Sequence, residues 1–184
     1  MTDGLNRFYN PTKYESRSRV VSLGVKCVFI SYQKKDRDAA IKVAEYFQQA
    51  KIDVYIDLYD KELKFHHQSN NPKLVTDSIL KGTNSSHMLV VVSPETMSST
   101  WVPFEVGYGF DKTDLGVITF KGISNQTLPE YLKTSPLIIR GTKSLNEYLS
   151  KMTNNLVPLM ESRNLIKSHT ATTHPLDNYL DWNS

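Results

Sequence analysis

Two rhythms of apolar and polar positions alternate along the chain. Residues 25–31, VKCVFIS, are a β-branched and aromatic run of strand length. The stretch after it, DRDAAIKVAEYFQQA, sets Ala40, Val43, Ala44 and Phe47 at helical spacing, with Asp36 or Asp38 placed to cap or charge its start. IDVYID (52–57) is a second strand that ends in an Asp-rich turn. The polar stretch that follows, LYDKELKFHHQSNN, exceeds the ~12 residues beyond which a connection is usually functional or disordered. PKLVTDSILKGTN reads as a helix, with Pro72 early and Gly82 near its end. HMLVVVS (87–93) is the most apolar strand and the expected centre of the sheet.

A helix carrying WVPFEVGYGF comes next, then a strand, LGVITF, and a turn region, KGISNQTLPEYLKTS. PLIIRG is a last short strand, and KSLNEYLSKMTNNLVPLMESRNL one long closing helix. The tail IKSHTATTHPLDNYLDWNS has no clear period, and no internal repeat or low-complexity tract interrupts the pattern. Strand and helix alternating four or five times imply an α/β fold: a parallel sheet of about five strands between two helical layers, in a flavodoxin-like order. Ligands of such sheets bind outside the carboxyl ends of the strands. Ser31-Tyr32, Asp57 with its loop, and Ser93 through Glu105 all converge on that edge.

Composition narrows the class. The 184 residues are 39% hydrophobic, 22% charged and 10% aromatic, which suits one globular domain and excludes a disordered chain. The expected division is a polar, basic-leaning extension over 1–24, a folded domain over 25–161 and a tail over 162–184. A net charge of +3 lacks the strongly basic face of a nucleic-acid binder. Arg7, Lys13, Arg17, Arg19 and Lys26 read as a solvated basic arm. Cys27 is the sole cysteine, expected as a small buried hydrophobe, and it rules out a disulfide or a cysteine zinc cluster within the chain. With no secretory h-region and no apolar run near the ~18 residues that span a bilayer, a cytoplasmic protein without membrane contact is expected.

Most chemical motifs are missing. Neither G-x-G-x-x-G nor a Walker loop occurs. His66 and His67 are adjacent and lack a partner at ligand spacing, so they read as loop residues, and no metal site is expected. His87 reads as a strand-end histidine, His169 and His174 carry no signal, and Ser31 and Ser93 have no identifiable base. Carboxylates remain: Asp36, Asp57, Asp60, Glu62 and Glu105. Glu105 stands apart because Phe104, Val106, Tyr108 and Phe110 surround it. On a helix it shares a face with Trp101, one turn earlier. A tryptophan there lowers local polarity and offers a flat surface to an aromatic ligand.

These parts, in this order, resemble the TIR (Toll/interleukin-1 receptor) domain family. CVFISYQKKD is similar to its first box, YIDLYD to its second strand with the aspartate that opens the BB loop, and VTDSILKGTNSSHMLVVVSPETMSSTWVPFE to the stretch through its third strand and following helix. GVITFKGISNQTLPEYL is like its fourth strand and the segment beyond, so the likeness runs from about Lys26 to Leu159. In enzymatic members the glutamate four residues after the tryptophan cleaves NAD+, which assigns that role to Glu105. The resemblance sets Ser31, Tyr32, Asp57 and Trp101 around the substrate, with Ser99 (or Ser98) matching the serine before the tryptophan.

It implies an NAD+ nucleosidase or ADP-ribosyl cyclase for which NAD+ is substrate and no cofactor is needed. It also implies self-association on activation and, by likeness to stand-alone TIR proteins of Thoeris antiphage systems, a nucleotide signal read by a separate effector. The loop LYDKELKFHHQSNN departs from the Arg-Asp…Pro-Gly pattern of many receptor and adaptor members. A non-catalytic TIR interaction module is the alternative, and a nucleoside deoxyribosyltransferase-like enzyme a third.

Overall fold

The computed structural model describes residues 3–9, 16–56, 72–154, 156–162, 164, 166–168 and 173–181. Five parallel strands form one sheet: β1 (Cys27–Ser31), β2 (Asp53–Tyr55), β3 (His87–Val92), β4 (Asp114–Thr119) and β5 (Ile138–Ile139), in the order β2-β1-β3-β4-β5. From β1 the chain steps outward to β2, then crosses back and builds β3, β4 and β5 on the other side. The order therefore reverses between β1 and β3, where an open α/β sheet forms its ligand crevice. This is the flavodoxin-like arrangement expected from the alternation of elements.

Pleating assigns the two faces, because neighbouring side chains on a strand point oppositely. Val28, Ile30, Leu89, Val91 and Ile118 turn to a core closed by α2 (Arg37–Gln49) and α6 (Thr142–Met152). Phe29, Met88, Val90, Val92 and Val117 turn to a second core with Val102 and Val106 of α4 (Trp101–Gly109) and Leu132 of α5 (Glu130–Lys133). All six β3 residues are buried, as an apolar run covered on both faces requires. The remaining helices are α1 (Arg17–Ser22), α3 (Pro72–Gly82) and α7 (Val157–Ser162).

Two expectations change, and the tail, on which the sequence was silent, proves to be packed. The long closing helix is two: α6 ends at Met152, Asn154 takes a left-handed φ of 55°, and α7 restarts at Val157 with Pro158 in its first turn. A left-handed residue just past a helix end satisfies its last carbonyls but cannot continue the helix. The N-terminal arm is not simply solvated. Asn6 bridges Val54 in parallel, covering the outer edge of β2, and Arg7 is only 3% exposed, donating to Cys27 Sγ at 2.9 Å and Ser85 Oγ at 3.2 Å. Cys27 is buried, as expected. The aperiodic tail is also packed: Ile166, His174, Leu176 and Leu180 are buried against α2 and α6.

Candidate active site

Ser31 closes β1 and is 1% exposed. Two residues beyond Phe29, it points to the same face, the one covered by α4. Glu105 lies in the second turn of α4, half-buried, and its Oε2 accepts the Ser31 hydroxyl proton. The carboxylate is thereby held against the carboxyl end of β1, at the point where strand order reverses.

The approach to α4 is tightly turned. Ser93 Oγ accepts the Glu95 N–H at 3.1 Å, Thr96 Oγ1 accepts the Ser93 N–H at 3.0 Å, and Thr96 in turn donates to Val91 O at 3.1 Å. Ser99 Oγ accepts the Val102 N–H at 3.2 Å, so its hydroxyl serves the helix start. Pro103 in the first turn sacrifices no helical donor. Val102 and Val106 are buried, and Phe104 and Phe110 are 45% and 47% exposed. Trp101 is half-buried and meets Phe104 edge-on at 6.0 Å, and Phe104 stacks on Tyr108 at 6.4 Å.

A second carboxylate–serine bond spans the same crevice in the opposite sense. Ser93, just past β3, donates to Asp36 Oδ2 at 2.5 Å. Asp36 stands at the N-cap position of α2, yet its side chain makes no capping bond. Burial raises its pKa from the ordinary aspartate value, against the lowering effect of the Ser93 bond. Beside it, Lys35 Nζ pairs with Glu95 Oε2 at 2.5 Å. Residue spacing does not reveal the Asp36–Ser93 pairing. The available signal was topological: each residue follows one of two strands that become neighbours.

The predicted site residues do not all converge. Ser31 and Glu105 are in contact, and Ser99 and Trp101 open the same helix. Tyr32, one residue beyond Ser31, packs against the core on the α2 side of the sheet. Asp57, Asp60, Glu62, His66 and His67 lie outside the described residues. His87 is at the opposite edge, its Nδ1 2.8 Å from Ser86 Oγ and its Nε2 3.5 Å from Asp114. Burial lowers its pKa, so this contact is not an ion pair at neutral pH.

An open groove of about 540 Å³ runs between Pro94 and Met97 and the segment carrying Ile123, Leu128 and Pro129; neither Ser31 nor Glu105 lines it. Among the described residues, no group of three or more His, Cys, Asp or Glu could hold a metal ion. No described helix is long and apolar enough to cross a membrane.

The class is thus an α/β domain with a flavodoxin-like parallel sheet and a serine-held glutamate at the switch point, the edge where sheets of this topology take their ligands. The family model of the TIR domain matches residues 28–138. That span contains β2, β3 and β4, all of β1 but Cys27 and the first residue of β5, together with every described site residue named above, and the chain belongs to the TIR domain family. This family includes NAD+ hydrolases as well as adaptor modules. No curated protein matches the chain.

Proposed function

We propose that this protein is an NAD+-consuming TIR enzyme in which Glu105 stabilises the ribosyl cation formed as nicotinamide departs. The observation that supports this most directly is the Ser31–Glu105 hydrogen bond at the β1/β3 switch point. Ordinary glycosidases use two carboxylates, because an alkoxide leaving group must be protonated. Nicotinamide leaves NAD+ as a neutral molecule from a cationic pyridinium, taking the bonding electrons and needing no general acid. One fixed carboxylate then faces the oxocarbenium-like ribose, where preorganised charge is most effective. Attack by water yields ADP-ribose and a proton; attack by an atom of the same molecule yields a cyclic ADP-ribose, one water poorer, and a proton.

In this reading Ser31 orients Glu105, Trp101 shapes the pocket wall, and Asp57 and Ser99 belong to its surroundings, whereas Tyr32 lies on the α2 side of the sheet and takes no part. No cofactor takes part. The product serves as a nucleotide signal in cytoplasmic antiphage defence of the Thoeris type, made on self-association and read by a separate effector.

Purified protein incubated with NAD+, alone and under conditions that drive self-association, should release nicotinamide, and Glu105→Gln should abolish release without altering thermal stability. Full release by the Gln variant would overturn the assignment. The second reading, a non-catalytic interaction module, draws on the exposed Phe104 of α4 and Phe110 just past its end and requires no turnover under any condition.

A further inference from the structure

Beyond β5, the chain returns across the carboxyl edge of the sheet. Asp181 forms a parallel bridge with Gly141, and its carbonyl accepts the Thr142 N–H at 3.1 Å. Tyr179 O accepts the Lys121 N–H at 2.8 Å, and the Tyr179 ring lies 5.4 Å from that of Phe120. Residues 179–181 therefore bind backbone groups that directly follow β4 and β5. The other end of this segment is fastened by a histidine.

His174 is buried against α2. Its Nδ1 accepts the Leu176 N–H at 3.1 Å, an arrangement open only to an unprotonated Nδ1. The ring proton consequently sits on Nε2, 2.9 Å from the Tyr46 hydroxyl oxygen, which accepts it. Tyr46 directs its own proton to Asn146 Oδ1 or Lys167 O, each at 2.9 Å. Asn146 donates to Glu161 Oε1 at 3.1 Å and to Lys167 O at 2.9 Å. The network is complete with a neutral imidazole. An imidazolium would lose the Leu176 bond and set two N–H donors of like polarity against each other.

We propose that residues 173–181 form a strap latched on Tyr46 by neutral His174, and that protonation of His174 releases the strap from the ends of β4 and β5.

Among the described residues, these charged groups face the latch. Asp177, on the strap, accepts the His174 backbone N–H at 2.7 Å, and Glu161 reaches it from α7 through Asn146. α2 and α6 present the neutral Tyr46 and Asn146, while Lys42 of α2, paired with Glu45, lies toward Tyr179. Burial lowers the His174 pKa, and Asp177 raises it by less. Docked, the strap therefore binds fewer protons than released. Docking is complete above the ordinary histidine value and weakens as pH falls below it.

Hydrogen exchange on the full-length chain tests this without reference to any activity. The Lys121 and Thr142 amides are sheet-side reporters, because their acceptors are on the strap. After correction for intrinsic exchange, their protection and that of Leu176 and Leu180 should fall between about pH 7.5 and about pH 5.5, by up to about tenfold per pH unit below the ordinary histidine value, with β3 amides unchanged. His174→Asn keeps a side-chain acceptor for the Leu176 N–H but does not titrate, so this dependence should vanish, whether its strap is docked or loose at both values. Wild-type protection that stays constant would overturn the proposal. So would the same pH dependence in His174→Asn.

Discussion

Ser31 and Glu105, 74 positions apart, are joined by one hydrogen bond from the last residue of β1 to the second turn of α4. The bond fixes the rotamer of an acid that sits on an otherwise apolar helix. Ser93 and Asp36 form a second such bond in the opposite direction, from the end of β3 to the start of α2. The crevice at the switch point is thus spanned twice, each time by a strand-end serine holding a carboxylate from the other strand's following segment.

If Ser31 orients Glu105 for the proposed reaction, Ser31→Ala should lower nicotinamide release without abolishing it. A hydrogen bond to a charged group is worth about 1.5–3 kcal/mol, or roughly tenfold to a hundredfold in rate. The effect should be on kcat, because the carboxylate acts on charge that develops in the transition state. Steady-state assays on Ser31→Ala and Glu105→Gln distinguish positioning from chemistry: the first retains measurable turnover and the second does not.

Asp36 gives a prediction about pH. Its pKa is raised by burial, so the folded state holds its proton more tightly than the unfolded chain. That contribution to stability is fully present below the unfolded value and is lost as pH rises through the folded one. Asp36→Asn keeps an oxygen to accept the Ser93 proton and never ionises. At neutral pH the variant should be at least as stable as wild type, and its advantage should shrink as pH falls into the carboxylate range. Thermal unfolding across that range gives the answer. A variant less stable at pH 7 would mean that the ionised Asp36–Ser93 pair outweighs its desolvation.

Tyr46→Phe removes one hydroxyl at the meeting point of α2, α6 and the C-terminal segment. The hydroxyl contacts Asn146, Lys167 O and His174, all within a buried network. Leaving such partners without a hydrogen bond costs about 1–3 kcal/mol. For a chain of this length each kcal/mol lowers the melting midpoint by roughly 2–4 °C. Calorimetry should show a decrease of that order with the ring still packed. Nicotinamide release, if Glu105 performs it, should change much less, because Tyr46 lies on the other face of the sheet from α4.

The sequence by itself determined the layers of this protein. Short apolar and β-branched runs marked all five strands, helical spacing marked α2, and the polar–apolar alternation with Pro72 and Gly82 marked α3, while α6 was seen as part of a longer helix. The all-apolar HMLVVV run identified β3 as central, since only a strand covered on both faces can bury every residue. Glu105 stood out because its neighbours were bulky and apolar. Local rules failed wherever stability comes from distant partners. Arg7 resembles a solvated basic residue until it meets Cys27 and Ser85, and His174 carries no signal until Tyr46 lies beneath it. Asn154 ends a helix that periodicity would have continued, because a left-handed backbone leaves no mark on hydrophobic spacing. The Ser31–Glu105 and Ser93–Asp36 pairs were likewise decided only by tertiary structure. A hydrogen bond depends on where two chain segments lie in space, and that was settled by the sheet order bringing β1 and β3 side by side.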